Sequence, residues 1–163
     1  VDINPALSAT DNILALVTDP ALGCPVSKDD LGVTTPWVYE PGAAGTVHGR
    51  NVDGENSNTS VVVFLRPDVE DLTEDGVNQT IIYERQTLAA LLGANPAAVS
   101  VPNNATDVEV LTAIASQLGL IASELIVQTP ITNAQATVAV STSSTPSLVY
   151  LPSTVSVNLT WTT

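Results

Sequence analysis

The segment TVSVNLTW, residues 154–161, alternates strictly: Val155, Val157, Leu159 and Trp161 are apolar, and Thr154, Ser156, Asn158 and Thr160 between them are polar. Successive side chains of an extended strand point to opposite faces, so this segment is predicted to be a strand with one face in a core and the other in water. A slip of one residue turns all the apolar side chains to solvent, at about 1.5–3 kcal/mol each, so the register is specified. Trp161 is expected in the core. The same reading gives two hairpins: NAQATVAVS with STVSVNLTW, and NTSVVVFLRP with VNQTIIYER. Residues 60–65 are nearly continuously apolar, the pattern of a strand covered on both faces.

Helices are marked by their ends. In TDVEVLTAIASQLGL, residues 106–120, Thr106 is placed to accept from the amide of Glu109 while Glu109 reaches back to the amide of Thr106, a capping box. Leu111, Ile114, Ala115 and Leu118 then fall on one face, and Gly119 supplies the left-handed stop. Near the N-terminus Thr10-Asp11 precedes Ile13, Leu14, Leu16 and Val17, and Leu22-Gly23 repeats the Leu118-Gly119 ending. A short helical turn is predicted over Thr87–Leu92, stopped by Gly93 and Asn95-Pro96.

The segments C-terminal to the two main helices are also similar. SKDDLGVTTP after the first and SELIVQTP after the second share Ser, an acid, Leu, Val, Thr and Pro in the same order, and each is predicted to hold a short strand. The fold class expected is α+β: two pseudo-repeated helix-strand-hairpin halves with antiparallel Thr/Val-rich sheets. The halves are 1–93, carrying a long loop at 36–57, and 94–163, with the joint near Gly93 to Pro102.

Charge and inventory then exclude function classes. Four Lys and Arg against 17 acidic residues give a net charge of −13, which repels a phosphate backbone, so no nucleic-acid partner is expected. No apolar run approaches the roughly 18 residues of a membrane span, and VDINPALSATDN lacks the basic start of a secretory leader, so no membrane partner is expected either. Cys24 and His48 are the single thiol and imidazole, and no motif surrounds the cysteine, which reads as a buried structural residue. GAAGTVHGR lacks the Lys-Ser/Thr ending of a phosphate loop, and no Gly-x-Ser-x-Gly elbow is present. In RPDVEDLTEDG, residues 66–76, the acids Asp68, Glu70, Asp71, Glu74 and Asp75 fit no calcium-loop spacing and read as a solvated loop. Four Asn-x-Ser/Thr triplets, at Asn58, Asn78, Asn104 and Asn158, are read as chance in a Thr-rich chain. No catalytic residue, cofactor or metal is expected. The segment PWVYEPGAAGTVHGRNVDGENS, rich in Gly, Pro and Asn, carries Trp37, Tyr39, His48 and Arg50, which are taken as candidate partner contacts.

Taken in order, Asn58 to Val61, Tyr83 with Arg85 before a Leu-rich turn, the capped helix Thr106 to Leu120 and the closing hairpin strand Thr154 to Trp161 resemble an uncharacterised family of virion structural proteins from large tailed bacteriophages. NPALSATDNILALV is similar too, so the likeness covers nearly the whole chain. Two departures are the acidic loop at 66–76, where the family has a Gly-rich turn, and a longer 36–57 segment. The resemblance implies a non-enzymatic place in the virion for a protein made in the host cytoplasm, and a small acidic chain with hairpin edge strands suits a capsid decoration or accessory protein on the particle exterior, where its negative charge avoids the packaged genome. Its partners would be the major capsid protein or other virion proteins, in a homo-oligomer or multi-copy lattice. A tail or baseplate component, and an extracellular bacterial filament subunit, are the alternatives.

Overall fold

The computed structural model describes residues 2–17, 27–40, 49–65, 78–142 and 145–163. The chain forms two compact units. The first comprises Val1–Ile3 and Ala9–Arg85, the second Asn4–Ser8 and Gln86–Thr163. Helices and strands are present in both, and the fold is α+β.

In the first unit, helix α1 (Ala9–Ala15) buries Ala9, Asn12, Ile13 and Leu14 and packs on strand β1 (Leu31–Val33), which a 3-10 turn at Lys28–Asp30 introduces. Strands β2 (Trp37–Val38), β3 (Arg50–Asn51), β4 (Thr59–Leu65) and β5 (Gln79–Tyr83) complete its sheet. β4 and β5 are the predicted hairpin strands, antiparallel in a register running from Thr59 opposite Tyr83 to Val63 opposite Gln79. On the far side of β4 lie β1 and β2, both antiparallel to it. Thr34 joins them into one edge: its N–H donates to the Val62 carbonyl at 3.0 Å, and its hydroxyl accepts from the Val62 N–H at 2.9 Å. β3 lies beyond β5 and parallel to it. Val61, Val63, Ile81 and Tyr83, buried and on one face by register, form the centre of this core. The expected cover on both faces of residues 60–65 holds at Ser60 and Val61, whereas Val62, Phe64 and Leu65 are half-buried. Phe64 lies across Gly32, where a Cβ would stand 2.6 Å from the ring, so only glycine leaves that ring its place.

The second unit holds α2 (Leu88–Leu92), β6 (Val99–Pro102), α3 (Asp107–Leu118), β7 (Leu125–Gln128), β8 (Gln135–Val140) and β9 (Thr154–Thr162), with sheet order β6-β9-β8-β7. Both halves of the capping box form: the Thr106 N–H donates to Glu109 at 2.7 Å, and the Glu109 N–H donates to the Thr106 hydroxyl at 3.4 Å. Gly119 takes the left-handed conformation at φ 69° and ends α3. Thr87 caps α2 and Gly93 ends it, as the sequence predicts. Along β9 the alternation is reproduced: Val155, Val157 and Leu159 are buried, and Thr154, Ser156, Asn158 and Thr160 are exposed. Register places those apolar residues on one face with Val99 and Val101 of β6 and with Ala136, Val138 and Val140 of β8. α3 packs against β6 and β7 and buries Val110, Ile114 and Ala115.

Four expectations are corrected. Both sheets are mixed rather than antiparallel, because β3 runs parallel to β5 and β6 parallel to β9. Alternation specifies which face a residue occupies and says nothing of a neighbour's direction. Residues 99–102, expected in the joint, form β6, and α2 packs on β9 within the second unit. Trp161 is half-buried: it shares the core face of β9 but lies next to the strand's exposed end. Finally, helix, 3-10 turn, strand and hairpin occur in this order in each unit, but the parallel fourth strand comes after the first strand in one unit (β3) and before the helix in the other (β6). The expected repeat is therefore not confirmed.

Candidate functional site

Of the candidate contact residues, Trp37 and Tyr39 lie at the β1–β2 edge of the first unit. Trp37 pairs with Ser60 through the backbone and stays 42% exposed, and its neighbour Val38 is 73% exposed. Both are large apolar side chains on the outermost strand of a sheet, one on each of its faces by register, an arrangement that flanks a strand edge with apolar side chains. The Tyr39 N–H donates to the Asn58 carbonyl at 2.9 Å, which anchors the end of β2.

Arg50 is not beside them. It sits on β3 at the opposite edge of the sheet, and its guanidinium Nη1 donates to the Leu16 carbonyl at 2.8 Å, just past the C-terminal end of α1. A cation there satisfies a terminal carbonyl and complements the helix dipole, which makes Arg50 a structural tie. His48, Cys24 and the acidic run at 66–76 lie outside the described residues. The single contact loop expected over 36–57 is thus two separate strand edges, because β2 and β3 are drawn to opposite sides of the β4–β5 pair.

Between these edges lies a buried polar cluster that sequence reasoning missed. Arg85, 6% exposed, donates from Nε to the Thr59 hydroxyl at 2.8 Å, and that hydroxyl donates to Asn58 Oδ1 at 2.7 Å. Asn58 closes the ring by accepting from the Arg85 N–H at 3.0 Å and donating from Nδ2 to the Arg85 carbonyl at 2.9 Å. The side-chain amide so extends the β4–β5 ladder by one residue. Burial pulls the Arg85 guanidinium below its ordinary pKa, with the neighbouring Tyr83 opposing, and burial pushes the Tyr83 phenol up, with Arg85 opposing. Asp53 Oδ2 accepts from the Glu84 N–H at 2.7 Å next to this ring. These groups hold strands together, and nothing in the sequence marks Arg85 as a buried cation.

Among the described residues of the second unit, two concavities stand out. One, of about 300 Å³, is lined by Val140, Ser141, Pro146, Ser147 and Tyr150 among others. Tyr150 is buried there and its hydroxyl accepts from the Ile121 N–H at 2.9 Å, while burial pushes its phenol up. The other, an open groove of about 460 Å³, is lined by Asn103, Asn104, Ala105, Asn133 and Trp161. Among the described residues no group of three or more His, Cys, Asp or Glu is placed to hold a metal ion. Compared with family models, curated proteins and solved structures, the chain matches none.

Proposed function

We propose that this chain is a non-enzymatic structural protein of a bacteriophage virion, a decoration or accessory protein on the particle exterior that docks on the major capsid protein through the β1–β2 edge of its first unit. The observation that carries the reading is the pair Trp37 and Val38, 42% and 73% exposed on an outermost strand. Burial of an exposed aromatic and its aliphatic neighbour is the kind of contact that dominates binding energy at interfaces. The resemblance of the sequence to virion structural proteins supplies the partner. A net charge of −13 suits an outer position, away from the packaged genome. Many copies on one lattice would turn a modest contact into stable attachment.

The test is co-sedimentation of the purified chain with particles lacking it, beside the variants Trp37→Ser and Val38→Ser. The chain is expected to sediment with heads, and both variants to lose attachment while folding normally. Attachment to tails alone would move the assignment to a tail or baseplate component, and equal attachment of both variants would remove the β1–β2 edge from the interface.

A further inference from the structure

The groove of the second unit is built on strand ends and short turns. Asn103 and Asn104 form the turn between β6 and α3, held by the Asn103 N–H donating to the Thr162 carbonyl at 2.9 Å and the Ala105 N–H donating to the Pro102 carbonyl at 3.2 Å. Asn104 takes a left-handed backbone, φ 63°, which an asparagine tolerates better than most residues. Asn133 sits in the connection from β7 to β8, where the Thr132 hydroxyl accepts from the N–H groups of Ala134 and Gln135 at 3.4 and 3.0 Å. Trp161 forms the apolar wall. Its indole N–H donates to the Asn133 carbonyl at 2.9 Å, so the ring is fixed in place.

Among the described residues, none hydrogen-bonds the side-chain amides of Asn103, Asn104 or Asn133, and all three residues are exposed. The lining carries no charge, and the acids that follow it in the first turn of α3, Asp107 and Glu109, disfavour anions. Glu109 is held by Thr106 in the capping box, which leaves the groove to neutral groups.

A fixed aromatic face beside carboxamides that both donate and accept fits one neutral ligand class. A sugar ring presents an apolar C–H face that lies flat on an indole, with a rim of hydroxyls that also donate and accept. A nucleotide chain brings phosphates that the acidic protein repels, and a peptide strand needs a free backbone ladder, which this groove does not offer. We infer that the Trp161 groove is a binding site for neutral saccharide, with the sugar face on Trp161 and its hydroxyls on Asn103, Asn104 and Asn133. It is open and shallow, so the dissociation constant of a single site is about millimolar, and repetition on an assembly would raise the avidity. The inference does not depend on where the chain docks.

The experiment uses the isotope-labelled full chain, titrated with maltohexaose, cellohexaose and hexa-N-acetylchitohexaose at about 10 mM, an excess over a millimolar constant. At least one is expected to shift the Trp161 indole resonance together with the side-chain amides of Asn103, Asn104 and Asn133, leaving the Trp37 indole unmoved. The double variant Asn104→Gly/Asn133→Ala removes two amides while keeping a residue that accepts the left-handed backbone, and is expected to bind about ten-fold more weakly or worse. Asn103→Ala, which keeps the backbone bond to Thr162, is the second variant and should weaken binding as well. The inference is overturned when none of the three sugars moves these resonances, when the shifts fall elsewhere, or when both variants bind as tightly as the parent.

Discussion

Replacing Asn58 with alanine tests the polar ring around Arg85. The side-chain amide of Asn58 makes three hydrogen bonds, to the Arg85 N–H, the Arg85 carbonyl and the Thr59 hydroxyl. At about 1 kcal/mol for each bond lost, Asn58→Ala is expected to cost about 3 kcal/mol, and somewhat more because the Thr59 hydroxyl that orients a buried guanidinium loses its acceptor. Asn58→Asp is the control. It keeps both bonds that Asn58 accepts, loses the one it donates, and sets a negative charge near Arg85, so its cost should be about 1 kcal/mol. The assay is urea unfolding at neutral pH, monitored by Trp37 fluorescence in a Trp161→Phe background so that the signal reports the first unit. The stabilities are comparable where the dependence on urea is the same for all variants. A loss below about 1 kcal/mol for Asn58→Ala, or equal losses for the alanine and aspartate variants, would refute the hydrogen-bond account of this ring.

Gln117 closes the outer edge of β6, its amide accepting from the Ser100 N–H at 3.0 Å and donating to the Ser100 carbonyl at 2.8 Å. Gln117→Ala is expected to leave the fold intact at a cost of about 1 kcal/mol while speeding hydrogen exchange at Ser100 and promoting self-association; unchanged exchange would count against the edge-closing role. The Ser60 hydroxyl is fully buried with no hydrogen-bond partner among the described residues, so Ser60→Ala should be neutral or stabilise by about 1 kcal/mol, and a clear loss in thermal unfolding would show that the hydroxyl is satisfied. Burial raises the pKa of Tyr83 and Tyr150 above the ordinary 10.0. The folded chain then keeps protons that the unfolded chain releases above that value, so stability falls as pH rises past about 10; a flat profile from pH about 9 to 11 would contradict this. For Glu109, hydrogen bonds from Thr106 lower the carboxyl pKa below its ordinary 4.5, so the stability it adds is present above that value and fades as pH falls through the lowered one. Protection from exchange at the first turn of α3, taken relative to the intrinsic rate at each pH, should therefore fall in acid, and a Glu109→Gln variant should remove that pH dependence.

Legibility in the sequence tracked locality. The cap of α3 and its glycine stop depend on residues a few positions apart, and alternation within β9 alone identified the buried Val155, Val157 and Leu159 correctly. Where distant segments decide, the reading was incomplete. The face of α3 is centred on Val110, Ile114 and Ala115, with Leu111 and Leu118 half-buried, because its position over β6 and β7 sets the angle of the buried stripe. β6 carried its own signal, the alternation of Val99 and Val101, but four residues beside prolines read as a joint. Trp37 and Arg50 come from one Gly-rich segment, and only the pairing of β2 with β4 and of β3 with β5 separates them. The groove at Trp161 gathers residues from three places along the chain, which no local pattern announces.

A density map of the assembled particle at side-chain resolution tests the docking assignment most directly. It should show the chain outside the shell in many copies, with the Trp37 and Val38 side chains packed against the major capsid protein. Finding both side chains in solvent in every copy, or finding no copy on the particle at all, would contradict the assignment.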